Sequence, residues 1–225
     1  VTLPEGLVVC EDGLVRPTWA ATDPVLRDYY DTEWGSPVTS EKGVFERLAL
    51  ERFKTGLSWS TILKKREAFR TAFASFIPEA VAAFTDQDRE RLMQDTGIVR
   101  NKRKIDAAIT NARAVIALRS SLAAESNAHC AGRMDEAPLA QLLRPRQPYP
   151  QHLGELVWLY QPSQQPRPRC AQEVPAQTEE SRALSAELKR RGFVFVGPVT
   201  ALALMTAIGI VNTDILGTWK RPLAE

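Results

Sequence analysis

The strongest constraint on the fold of this chain is a repeated pairing of helix start signals with helix stop signals, with no strand-like alternation between them. At Asp23-Pro24 an Asp stands where it can cap the first amides and a Pro occupies the first helical position, with Leu26, Tyr29 and Tyr30 behind it. A second start at Thr39-Ser40, with Glu41 in its first turn, leads into Val44, Phe45, Leu48 and Ala49 at helical spacing and stops at Thr55-Gly56. Glu51 falls near the end of that helix. Residues 58 to 66, 67 to 76, 78 to 84 and 86 to 95 read as further helices, parted by small polar or Pro-bearing breaks. Ile105, Ala108, Ile109, Ala112 and Ile116 form one long apolar stripe, residues 181 to 191 stop at Gly192, and Pro198 opens an apolar stretch that ends at Gly209. The expected class is all-α.

Two segments depart from this order: residues 119 to 150, ending in Arg-Pro-Arg-Gln-Pro-Tyr-Pro, and residues 161 to 177, dense in Pro and Gln. Both read as excursions over the surface. The expectation is one domain over residues 1 to 225 with a surface insertion at 119 to 150. With 29 Lys and Arg against 27 Asp and Glu, net charge gives no argument for a polyanionic partner, so local clusters must carry it. Cys10, Cys130 and Cys170 are odd in number and far apart, which fits a reducing cytoplasm. No apolar run approaches the roughly 20 residues of a membrane span, and Glu5, Glu11 and Asp12 do not fit a signal peptide, so no membrane association is expected.

The most informative local unit runs from Asp86 to Leu118: a polar helix, a tight Thr96-Gly97-Ile98-Val99 turn, and Arg100-Asn101-Lys102-Arg103-Lys104 opening another helix. It resembles a helix-hairpin-helix, in which hairpin amides and the following helix N-terminus bind a DNA phosphate while cationic side chains add sequence-independent attraction. The alternative is an ordinary helix connection with a solvated basic face. Lys64-Lys65-Arg66 and Lys189-Arg190-Arg191 could join the same face.

Further markers are spread along residues 16 to 217: Trp19-Ala-Ala-Thr-Asp-Pro, Tyr29-Tyr-Asp-Thr-Glu-Trp-Gly35, Gly56-Leu-Ser-Trp59 followed by Ile62-Leu-Lys-Lys-Arg66, Gly97-Ile-Val-Arg-Asn101, and Arg191-Gly-Phe-Val-Phe-Val-Gly-Pro198. With these the chain resembles the DNA-3-methyladenine glycosylase I family. The resemblance implies helical lobes around a base-binding pocket, of the helix-hairpin-helix glycosylase kind. It also implies a monofunctional enzyme that flips an alkylated adenine, such as 3-methyladenine, from double-stranded DNA and hydrolyses its N-glycosidic bond. No cofactor is implied, and the working form is expected to be a monomer.

By the same resemblance, Trp19, Tyr29, Trp34 and Trp59 are the base-binding residues and Glu51 is the catalytic, base-contacting acid. Aromatic faces suit a flat, electron-poor and often cationic purine, and Glu51 can accept a hydrogen bond from the adenine amino group. For each Trp the alternative is core packing. The implied DNA contacts are Gly56, Leu57 (an apolar wedge for the gap left by flipping), Gly97, Ile98, Val99, Arg100, Asn101, Lys102 and Lys104. Alkylation already weakens the glycosidic bond, so no Lys or His nucleophile is needed, and Thr110 to Val115 lacks the Asp that many helix-hairpin-helix glycosylases place there.

The chain departs from the family in two places. Where members carry Cys and His ligands for a structural zinc, it has Pro17, Tyr30, Asp214 and Thr218, so no metal is expected. Glu51-Arg-Phe-Lys-Thr-Gly56 replaces the usual Glu-Gly-x-Gln-Ala-Gly, which puts Arg52 and Lys54 near the pocket, and Leu26 stands where some members have a Tyr. The rival reading is a non-catalytic binder of alkylated or damaged DNA. A more distant one is an unrelated helical interaction protein.

Overall fold

The computed structural model describes residues 3–131, 139–143 and 147–222. A short antiparallel hairpin, β1 (Leu7–Val9) and β2 (Val15–Pro17), precedes the helices and pairs Leu7 with Pro17. Then come α1 (Thr18–Ala21), α2 (Pro24–Thr32), α3 (Glu41–Lys54), α4 (Trp59–Lys64), α5 (Arg66–Ala72), α6 (Pro78–Ala82), α7 (Asp86–Gln94) and α8 (Lys102–Cys130). The chain closes with α9 (Leu153–Trp158), α10 (Glu179–Arg190) and α11 (Pro198–Ala207).

The helix starts are set by their caps. Asp23 accepts from the Val25 amide, Ser40 from Gly43, Ser58 from Thr61 and Asn101 from Lys104, each satisfying a first-turn amide that has no intrahelical acceptor. Thr85 with Asp88, and Thr178 with Ser181, make reciprocal capping pairs on α7 and α10. The expected all-α class stands; the hairpin, α1 and α9 are additions that the helical spacing did not show.

Helix α3 runs through the middle and is buried on nearly every side, from Val44 to Phe53. It packs against α4, α8, α9 and α11. Phe45, Phe53, Phe69, Phe73 and Phe76 gather beside it, with the Phe73 and Phe76 rings stacked 5.6 Å apart. Three charged residues are buried with α3. Glu46 is paired with Arg66 and Arg70, and Arg47 with Glu33, as buried charges normally require. Glu51 is the third.

Residues 119 to 130, expected to leave the fold as a surface excursion, instead continue α8, a 29-residue helix about 44 Å long. Tertiary contacts hold this second half. Leu122 is buried, Arg119 pairs with Glu41, and Arg191 donates to both Ser121 and Glu125. Tyr149, beyond the helix, donates to the same Glu125. The rest of the 119 to 150 segment falls partly outside the described residues. Among the described residues no helix is long and apolar enough to cross a membrane.

Candidate active site

The end of α3, the α1–α2 region and the segment after α11 enclose a cavity of about 720 Å³. Trp19, Trp34 and Trp59 line it together with Leu26, Lys54 and Glu51. Four of the five residues expected at a base pocket, scattered over residues 19 to 59, therefore meet on one surface. Tyr29 is the exception. It is 2 % exposed and stands behind Trp59, the rings edge to face at 5.5 Å. Its hydroxyl is buried and meets no partner in hydrogen-bond geometry among the described residues. Burial, and then the charges of Glu51 and Glu33, hold that phenol protonated.

Glu51 supplies the chemistry. It is 8 % exposed, faces the cavity, and makes no hydrogen bond or ion pair among the described residues. Burial pushes its carboxyl up to about 7, opposed only weakly by the charge of Lys54. A buried acid without a partner is costly to keep, which makes it a functional-site candidate on physical grounds. Lys54 lines the cavity, whereas Arg52 does not and lies over the Phe195 ring instead.

Trp19 and Trp34 are fixed by contact with Tyr30, at ring separations of 5.5 and 5.6 Å. The Tyr30 hydroxyl donates to Asp214 at 2.8 Å, so two of the positions where the resemblance places zinc ligands hold a hydrogen bond. Those positions do not fit the metal. Pro17 offers no donor side chain, Thr218 has only a hydroxyl, and burial with the Asp214 charge keeps the Tyr30 phenol protonated. Backbone and side-chain bonds tie the chain's two end segments instead: the Trp219 amide donates to Val15, the Trp219 indole to Asp31, and Lys220 to the Trp34 carbonyl.

Beyond α3 the chain turns outward. Gly56 has φ +80°, a left-handed conformation that favours glycine, and it puts Leu57 on the surface at 40 % exposure. The hairpin between α7 and α8 sits nearby. A Cβ on Gly97 would stand 2.9 Å from the Ala68 Cβ, so glycine is needed there for packing on α5 as well as for any approach to DNA. Ile98 is buried, Val99 half-buried, and Arg100, Asn101 and Lys102 are exposed, with the Asn101 side chain occupied as the cap of α8.

Lys104, one of the expected DNA contacts, is engaged within the fold. Its ammonium donates to the carbonyls of Phe53 and Thr55, fastening α8 to the end of α3, because unpaired C-terminal carbonyls attract a cation. Of the two basic triplets, every residue but the exposed Lys189 is likewise engaged within the fold. Lys64 pairs with Asp23, Lys65 donates to the carbonyls of Thr96 and Gly97, and Arg66 is buried against Glu33 and Glu46. Arg190 and Arg191 pair with Glu187. Nothing in the sequence pattern showed that Gly6, Ala171 and Thr213 help line the cavity, nor that Asp214, noted only as a metal-ligand position, does so.

An aromatic cavity with one unpaired acid, beside an exposed cationic turn on a helical scaffold, describes a nucleobase-binding protein of the DNA-repair kind. Comparison with known proteins agrees. A sequence model of the methyladenine glycosylase family matches residues 19–151 and 136–221. DNA-3-methyladenine glycosylase 1 of Escherichia coli is 39 % identical over 205 residues, covering 90 % of this chain and 94 % of that protein. The Haemophilus influenzae DNA-3-methyladenine glycosylase is 33 % identical over 203 residues, covering 89 % and 94 %. The solved 3-methyladenine DNA glycosylase I of Staphylococcus aureus, studied for its recognition of 3-methyladenine, superposes with a TM-score of 0.70 at 30 % identity, over 91 % of this chain and 95 % of that one. The chain belongs to the methyladenine glycosylase family.

Proposed function

We propose that this protein is a monofunctional DNA glycosylase that removes an alkylated adenine, 3-methyladenine being the type substrate, from double-stranded DNA. The observation that carries the reading is the unpaired, buried carboxylate of Glu51 facing a cavity walled by Trp19, Trp34 and Trp59. N3-alkylation leaves adenine cationic. A carboxylate that finds no partner in the free protein finds one in the exocyclic amino group and positive charge of such a base, while the Trp faces favour a cation over a neutral purine. A normal adenine gains less on both counts, so selection follows from charge as well as shape.

In the reaction the bond between C1′ and the base nitrogen breaks with its electron pair going to the base, which neutralises the leaving group. Water adds to C1′ and loses a proton, giving free alkyladenine and an abasic sugar. The protein extrudes, selects and orients the nucleotide. Leu57 fills the vacated gap, and Arg100, Lys102 and the first amides of α8 hold the backbone near the lesion. The protein acts as a monomer on DNA in a reducing cytoplasm.

The test is incubation with methylated duplex and identification of the released base by mass. Free 3-methyladenine is the expected product. Tight lesion binding without release would favour the non-catalytic binder instead.

A further inference from the structure

Phe195 is a bulky residue with φ +58°, in the left-handed region, and is 52 % exposed. A non-glycine residue persists in that conformation only when its surroundings over-determine it, and such strain concentrates at functional sites. The surroundings here do so. On one side the Asn111 amide clamps Val194 twice, accepting from its N–H at 2.8 Å and donating to its carbonyl at 3.3 Å. On the other the buried Ser185 hydroxyl donates to the Val196 carbonyl at 2.7 Å. Phe193 and Val196 are buried, so the backbone is anchored on both sides while the ring between them is turned to solvent.

One face of that ring is covered by Arg52, whose guanidinium carbon lies 3.5 Å from the ring centroid. Arg52 has no hydrogen bond or ion pair among the described residues, and its Nε is buried without a partner. This contrasts with Arg16, Arg47, Arg66 and Arg119, all paired with carboxylates. The charge of Arg52 bears on another cation, Lys104, whose pKa burial lowers and the Arg52 charge lowers further. The fold thus holds an uncompensated cation against a strained, exposed aromatic, on the same helix end from which Leu57 projects.

We infer that Arg52 and Phe195 form a second DNA contact, a stacking plate for the duplex flanking the extruded nucleotide, with the open ring face against a base or sugar and the guanidinium toward a phosphate. The inference rests on the glycosylase reading and adds two residues to it. Neither lines the base cavity. An aromatic plate beside a free cation matches the two things a partly unstacked duplex presents, a π face and a phosphate.

The test uses Phe195→Gly, which keeps the left-handed backbone and removes only the ring, and Arg52→Gln as the independent variant. Affinity for a short duplex carrying a tetrahydrofuran abasic analogue is measured across a salt series, with binding of free 3-methyladenine followed by Trp fluorescence and thermal unfolding recorded for each protein. Phe195→Gly is expected to weaken duplex binding by about tenfold or more, within the range of one lost base stack, while unfolding no earlier than wild type because the strain is relieved. Arg52→Gln is expected to reduce the salt slope by about one. Free-base binding should be unchanged in both. Wild-type duplex affinity and salt slope in both variants would overturn the inference. So would a Phe195→Gly protein that unfolds earlier and loses free-base binding, since the ring would then be structural. A wild-type protein that neither binds the abasic duplex nor releases 3-methyladenine would overturn the glycosylase reading and this inference with it. Release by wild type with both variants unaffected would overturn the plate alone.

Discussion

Replacing Glu51 by Gln keeps the size of the side chain and removes its charge, and the structure gives the consequence a magnitude. Burial raises the Glu51 carboxyl from an ordinary 4.5 to about 7. At 1.36 kcal/mol per pKa unit, the charged form costs the folded protein about 3 kcal/mol. Because the folded state holds this proton more tightly than the unfolded chain, the wild type loses stability as pH rises from about 4.5 through 7 and levels off above. Glu51→Gln lacks this loss. It should therefore be the more stable protein at pH 8, by up to about 3 kcal/mol, with the difference shrinking toward pH 5. Activity should move oppositely. With protein and DNA dilute, wild-type base release should rise as pH climbs through about 7 and the carboxylate forms. The Gln variant should be at least about tenfold slower at pH 8, or roughly 1.4 kcal/mol, with a flat profile. Single-turnover release and denaturant unfolding over the same pH series measure both, with circular dichroism confirming the helices. A Gln variant that cleaves at the wild-type rate at pH 8, or a stability difference that does not change with pH, would refute the assignment of this carboxylate.

Three other outcomes are expected. Arg100→Ala with Lys102→Ala should weaken binding to any duplex and lower the salt slope by about one per lost phosphate contact, with lesion preference retained; an unchanged slope would make the exposed turn a solvated face. Trp59→Ala should weaken lesion binding by about 1–3 kcal/mol through lost stacking, a defect seen in equilibrium binding, and unaltered binding would remove Trp59 from the base contacts. Purified protein should contain no stoichiometric zinc by metal analysis and keep its unfolding temperature in chelator, because a phenol, a hydroxyl, a Pro and one carboxylate are a poor zinc set; one tightly held zinc per chain would overturn that reading.

The sequence by itself determined where most of the helices start. A cap acts on amides two or three residues away, so Asp23, Ser40, Ser58, Thr85 and Asn101 state where helices start without reference to the rest of the chain. The order of family motifs likewise pointed to Trp19, Trp34, Glu51 and Trp59, which the fold brings to one cavity. What only the tertiary structure decided depends on groups far apart in sequence. Lys104 reaches Phe53 across 51 positions and Tyr30 reaches Asp214 across 184, and no local pattern says which cation will be drawn inward to a helix end or which positions will pair in place of a metal. The polar stretch after Leu118 looked like the end of a helix because its composition changes there. It remains helical to Cys130 because Arg191 and Tyr149 meet Glu125 along it. Glu51 shows the division most clearly. Its position at the end of a helix is written locally, but its raised pKa exists only because α3 is surrounded by other helices, which remove water from the carboxylate and bring it no partner.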